Sequence, residues 1–133
     1  MFGGRWNPRG FAMVYTSEHL SLAVLENLVH LEPAQLQPAR LALTIEVPDR
    51  DVEVLAPSEL PRNWRAARSQ QLLQNLGKAW LAEGRSLALK VPSAVLPQEH
   101  NILLNPSHPK HDRLSVEAQE PFSFDPRLFR FPT

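Results

Sequence analysis

The opening thirty residues constrain the fold more than any other stretch, because they must make a tight loop, a strand and a helix in quick succession. Gly3-Gly4 and Asn7-Pro8-Arg9-Gly10 flank Arg5-Trp6 with residues that interrupt regular structure, so Arg5 sits on a loop whose backbone can approach a ligand closely. Phe11 to Tyr15 reads as a short strand. Thr16 or Ser17 then caps a helix whose first turn carries Glu18, where the helix dipole favours a negative charge, and Tyr15 is left at the strand-to-helix corner. The helix runs to about Leu31 and ends before Pro33. Within it Glu26 has Leu22, Ala23, Val29 and His30 as neighbours three and four positions away, which puts it on the shoulder of an apolar stripe. A carboxylate there is either paired in the interior or turned toward a pocket, since an unpaired buried charge is costly.

Downstream, Glu32 to Pro38 holds two prolines and reads as a loop, and Ala39 to Val47 alternates as a half-buried strand with Leu41, Leu43, Ile45 and Val47 inward. Pro48 to Asp51 turns the chain, a short strand follows at Val52 to Leu55, and Pro57 to Ala67 is irregular around Trp64. Thirteen prolines imply many such short connections. From Ser69 to Glu83, Leu72, Leu73, Leu76, Ala79 and Trp80 recur at helical spacing, with Gly84 as the stop. Ser86 to Val91 is a strand ending at Pro92, so Ser93 leaves the sheet with its hydroxyl available; by itself it reads as a turn-capping serine. Asn101 to Leu104 makes another strand, closed by the constrained turn Asn105-Pro106-Ser107-His108-Pro109. Leu114 to Ala118 is a last strand, after which Phe122, Phe124, Leu128 and Phe129 pack onto the body.

At 133 residues and 43% hydrophobic content the chain is one domain, spanning 1–133, large enough to bury its core without staples. Fourteen basic residues balance fourteen acidic ones, which disfavours nucleic acid as a direct partner. The absence of cysteine removes disulfides, thiol nucleophiles and cysteine metal sites, and no signal peptide or membrane-length apolar run appears, so the chain reads as soluble and cytoplasmic. Five histidines lack the spacing of a metal motif, so no metal is expected. Neither a dinucleotide-binding nor a phosphate-binding glycine motif occurs, and no G-x-S-x-G elbow supports hydrolase chemistry at Ser93 or Ser107.

Taken together, G-G-R-W-N-P-R-G, V-Y-T, A-V-L-E-N-L-V-H-L, the W-L-A-E-G-R-S-L-A-L-K-V-P-S to N-P-S-H-P run and the tail P-F-S-F-D-P-R-L-F resemble the RES domain, in order and over nearly the whole chain. The resemblance implies an α+β domain similar to the ADP-ribosyltransferase fold, with a central, mostly antiparallel set of strands and flanking helices. It implies NAD as substrate and a toxin of a type II toxin-antitoxin pair, checked by an Xre-like helix-turn-helix antitoxin and assembled as a homodimer or a toxin–antitoxin hetero-oligomer. Arg5, Tyr15 and Glu26 match the arginine, tyrosine and glutamate of the family's NAD site. The family serine falls on Ser93, with Ser107 a second candidate. RES domains usually carry a further strand and arginine ahead of the G-G-R-W segment, whereas this chain starts at Met1-Phe2-Gly3; either the true start lies upstream, or the chain is a truncated, inactive module acting through protein–protein contacts, which is the alternative reading.

Overall fold

The computed structural model describes residues 3–30 and 40–129. In chain order the elements are β1 (Val14–Ser17), α1 (Leu20–Leu28), β2 (Arg40–Glu46), β3 (Val52–Val54), α2 (Gln70–Glu83), β4 (Ala88–Pro92), β5 (His100–Leu104) and β6 (Ser115–Phe122), joined in places by single 3₁₀ turns. β1, β5, β4 and β3 form one sheet in that order, antiparallel except for the β3–β4 pair; β2 and β6 form a separate antiparallel ribbon with a bulge between Thr44 and Ile45. The α+β expectation therefore holds.

The register explains where the core sits. Tyr15, Leu103 and Leu89 lie side by side across three strands, with Val91 on the same face, while Val14, Leu104, Ala88 and Val52 share the other. The first face is closed by Leu73 and Trp80 of α2 together with Trp6, Leu60 and Trp64 from the loops. Trp64 anchors its irregular segment as expected, its ring centroid 6.4 Å from that of Trp6. The stripe that α2 buries is Leu73, Gly77 and Trp80, and Leu72 is exposed. It is narrower than the leucine pattern suggests because Gly77 lies against the Trp6 carbonyl, where any Cβ would overlap the oxygen. The helix ends at Gly84, whose φ of 62° is left-handed.

Several boundaries shift from the sequence expectation. β1 begins at Val14 and extends through Ser17, so Tyr15 is inside the strand and not at its corner. Pairing with β5 takes the hydroxyls that were assigned to capping: Thr16 Oγ1 donates to the Ile102 carbonyl at 2.6 Å, and Ser17 Oγ accepts from Asn101 Nδ2 at 3.2 Å. The cap position of α1 falls on His19 without a side-chain bond, Glu18 lies ahead of the helix, and the helix ends at Leu28. The loop expected at Glu32 to Pro38 lies outside the described residues. β2 exposes Leu41 and Leu43 where an inward face was expected, because among the described residues it pairs with β6 alone, in a ribbon separate from the main sheet. β6 is longer than Leu114–Ala118 and reaches Phe122, whose ring meets Phe124 edge-on at 5.1 Å. Leu128 is exposed, and the side chain of Phe129 lies outside the described residues.

Candidate active site

Arg5, Tyr15, Glu26 and Ser93 come from a loop, a strand, a helix and a strand end, and a continuous chain of contacts links them. At one end, the Ser93 hydroxyl donates to Glu26 Oε1 at 2.7 Å. Ser93 is fully buried, directly after the inner strand β4, and the same oxygen accepts from the backbone N–H of Val95 and of Leu96, each at 3.1 Å. A hydroxyl has one hydrogen and two lone pairs, so its capacity is filled. Ser93 thus caps a turn and holds a carboxylate at once, and its hydroxyl is not left available as the sequence reading had it.

Glu26 is half-buried, and its Leu22 neighbour one turn back is fully buried, which seats α1 and turns the carboxylate toward β4. Among the described residues no cation pairs with Glu26, and Ser93 is its one partner. The interior ion pair that was one of two expectations for this residue is absent among them, and Oε2 has no protein partner there.

Next to Ser93, the Ala94 carbonyl accepts from Arg65 Nε at 2.8 Å, and the Arg65 carbonyl accepts from Arg5 Nη1 at 3.4 Å. Arg5 thus reaches the same turn as Glu26 by way of Arg65. From Arg5 the path continues through its neighbour Trp6, whose backbone N–H donates to the Tyr15 hydroxyl at 3.1 Å. That hydroxyl in turn donates to Asn7 Oδ1, and Asn7 Nδ2 donates to the Phe11 carbonyl at 2.7 Å. The loop folds back over Tyr15 so tightly that a Cβ at Gly4 would come within 2.5 Å of the phenolic oxygen, which is why glycine is needed there. Tyr15 as a residue remains 43% exposed, while its hydroxyl is hydrogen-bonded to both Trp6 and Asn7. Burial pushes the phenol above its ordinary value, against the opposing pull of the Trp6 and Asn7 backbone and the Arg5 charge.

Ser107 is not part of this constellation. It follows Leu104, and Leu104 pairs with Ala88 at the start of β4, whereas Ser93 follows Pro92 at its end. Four residues of strand separate the two positions, roughly 13 Å at about 3.3 Å per residue. Ser107 is exposed in a turn stabilised by its own backbone N–H on Asn105 Oδ1 at 3.0 Å.

Two contributors were missed in the sequence. Asn7 was accounted for as part of a turn-forming N-P-R-G run, and Arg65, in N-W-R, as part of an irregular segment; the adjacency of each to a buried tryptophan was the available signal. A third arrangement escaped the histidine spacing: Glu18, His19 and Glu99 bring one ligand atom each within 4.8 Å of one another. Glu18 is already engaged there, accepting from the His100 N–H at 2.8 Å and facing Lys90 Nζ at 3.7 Å. A wide groove of about 960 Å³ crosses the other sheet face, between Val14, Thr16 and Ile102 and the ribbon residues Leu41 to Ile45; it touches Tyr15 but not Arg5, Glu26 or Ser93. No helix among the described residues is long and apolar enough to cross a membrane.

Comparison with known proteins agrees over nearly the whole chain. The RES domain profile matches residues 1–125. A protein named Toxin Res from Yersinia enterocolitica is 39% identical over 129 residues, covering 96% of this chain and 84% of that protein. The Prs ADP-ribosylating toxin of a Sphingobium species is 37% identical over 131 residues, 96% of this chain and 81% of its own length. A second Toxin Res, from Photorhabdus laumondii, is 34% identical over 131 residues, 98% of this chain and 84% of that protein.

Proposed function

The chain belongs to the RES domain family, and from that premise we propose that it is a toxin that consumes NAD by cleaving the bond between nicotinamide and ribose. The observation that carries the proposal is the Ser93–Glu26 hydrogen bond, a carboxylate without a cation partner among the described residues, held by a saturated serine beside two guanidinium groups. Relatives bearing the names of toxins, one of them an ADP-ribosylating toxin, support the reaction class.

Breaking the bond sends its electron pair to the ring nitrogen, so nicotinamide leaves neutral and the positive charge passes to the ribose in an oxocarbenium-like transition state. The enzyme's task is electrostatic and positional. Glu26 Oε2 faces the developing charge and takes a ribose hydroxyl, while Ser93 fixes the carboxylate's orientation. Arg5 takes diphosphate oxygens through its planar donor fork, and the exposed face of Tyr15 stacks on the nicotinamide ring. The acceptor then bonds to the anomeric carbon and gives up its proton; water, phosphate and a protein side chain all satisfy that balance. An Xre-like helix-turn-helix antitoxin is proposed to restrain the enzyme by covering the ground between the Arg5 loop and α1.

Glu26→Gln tests the assignment. A glutamine oxygen still accepts from Ser93, so the melting temperature is expected to hold, while nicotinamide release falls by about a hundredfold or more, the scale of removing one preorganised electrostatic group. NAD affinity is expected to change little, because the lost interaction belongs to the transition state. A variant that loses stability and keeps its turnover per folded molecule would return Glu26 to a structural role, and folded wild-type protein that leaves NAD intact would point to a non-catalytic interaction module.

A further inference from the structure

We propose that Arg65 is a second diphosphate-binding residue, forming with Arg5 a paired guanidinium clamp for the anionic part of the nucleotide; this rests on the NAD-consuming reading above. The first support is the way the two cations are held. Arg5 Nη1 donates to the Arg65 carbonyl, and Arg65 Nε donates to the Ala94 carbonyl one residue past Ser93. A guanidinium has five N–H donors in a fixed fork, so the Nε bond orients Arg65 and leaves its terminal nitrogens to point elsewhere. Among the described residues neither Arg5 nor Arg65 has a carboxylate within ion-pair distance, although the structure pairs Arg85, Lys90, Lys110 and Arg127 with acids. Arg5 is thus held on the main chain of Arg65 and Arg65 on the turn after Ser93, each with donors to spare, so an anion bound at this junction can accept from both.

The second support is the distribution of charge along a chain that is neutral overall. Residues 1–17 contain Arg5 and Arg9 and no Asp or Glu, and residues 60–82 contain Arg62, Arg65, Arg68 and Lys78 and no Asp or Glu. These two segments hold six of the fourteen basic residues and none of the fourteen acidic ones. They are also the segments that meet in space, through the Trp6–Trp64 contact and through Gln74 Nε2 donating to the Gly4 carbonyl at 2.8 Å. The fold therefore gathers positive charge beside the Ser93–Ala94 turn that holds Glu26, so a diphosphate bound there lies next to a ribose seated on the carboxylate.

The experiment measures binding and needs no turnover. Wild type, Arg65→Gln and Arg62→Gln are titrated with ADP-ribose and, separately, with nicotinamide riboside, which lacks the diphosphate. Arg65→Gln is expected to bind ADP-ribose about tenfold or more weakly, the scale of losing a charge-assisted hydrogen bond, with nicotinamide riboside unchanged. Arg62→Gln, which removes a charge from the same exposed loop without touching the Ala94 turn, is expected to weaken ADP-ribose by less than about twofold and to leave nicotinamide riboside unchanged. Arg65→Lys keeps the charge without the fork and is expected to lose severalfold; it decides the matter if the glutamine variant does not fold. ADP-ribose bound equally by wild type and either Arg65 variant would overturn the assignment and leave the NAD reading intact. Wild-type protein that binds neither ligand would overturn both.

Discussion

The two faces of the four-stranded sheet are built to different standards. Under the face that carries Leu89, Val91 and Leu103, Trp6 and Trp64 from the loops and the Leu73–Gly77–Trp80 stripe of α2 close a core of buried side chains. Over the other face the β2–β6 ribbon stands apart, leaving Leu41, Leu43, Val54 and Val116 all more than half exposed. The candidate site hangs from the packed half: Trp6 lies between Arg5 and Asn7, Trp64 precedes Arg65, and Ser93 follows the buried Val91 and Pro92. Electrostatic catalysis depends on groups held in place before the reaction begins, and a close-packed aromatic core supplies that rigidity where a two-stranded ribbon does not.

The contrast is broken most directly by matched truncations. Leu73→Ala removes a fully buried side chain from the packed half and is expected to cost about 2–5 kcal/mol. Leu43→Ala, at a position 52% exposed on the ribbon, is expected to stay within about 0.5 kcal/mol of wild type. Denaturant unfolding of the two variants measures both. Equal losses would mean that the ribbon is as much a part of the cooperative core as α2 is, and the comparison would fail.

Sequence patterns exposed the packed half better than the open one, for a physical reason. A helix such as α2 announces itself through local periodicity and a terminal glycine, and β4 and β5 are short apolar runs bounded by proline and asparagine. β6 has its partner β2 some seventy residues away, so nothing near Leu114–Ala118 said that pairing would carry it to Phe122. The capping assignment of Thr16 and Ser17 failed in the same way, since hydroxyls suited to a helix start were taken by β5. For the candidate site, the resemblance supplied Arg5, Tyr15, Glu26 and Ser93; the structure puts Glu26 directly on Ser93 and links the others through Arg65, Ala94 and Trp6. Arg65 acts through the backbone of a distant segment at Ala94, and Asn7 ties the Tyr15 hydroxyl to the Phe11 carbonyl within its own loop; neither contact leaves a periodic trace.

A smaller effect sharpens the account of the packed half. Tyr15 is the chain's single tyrosine, so ultraviolet absorbance of its phenolate reads one site directly. Its raised pKa means that the protonated phenol contributes stability present below the unfolded value of 10.0, lost as pH rises through the higher folded value. The phenolate signal of the native protein is expected above pH 10, moving down to about 10 in denaturant. Asn7→Ala takes away the acceptor of the Tyr15 hydroxyl and the donor to Phe11, and is expected to cost about 1–3 kcal/mol. It is also expected to change the native titration midpoint. A variant whose midpoint matches wild type would show that Asn7 does not set the environment of the ring.

The smallest expected effect lies at the seam between the two halves, where Glu18 joins the start of α1 to β5. Burial alone would raise its carboxyl pKa, but hydrogen bonds from the His100 ring and backbone, with the charges of His100 and Lys90, outweigh that and hold it below 4.5. A depressed carboxylate contributes stability that is present above the unfolded value and lost as pH falls through the folded one. Glu18→Gln keeps an oxygen to accept from the His100 N–H and removes only the charge. At pH 7 the variant is therefore expected to melt a few degrees below wild type, corresponding to at most about 1 kcal/mol for a partly exposed pair. As pH falls below 4.5 and through the lower folded value, the gap between the two melting curves is expected to shrink. A gap that stays constant across the whole acid titration would show that Glu18 acts through packing, and the seam would then be held as the core is held, by shape and not by charge.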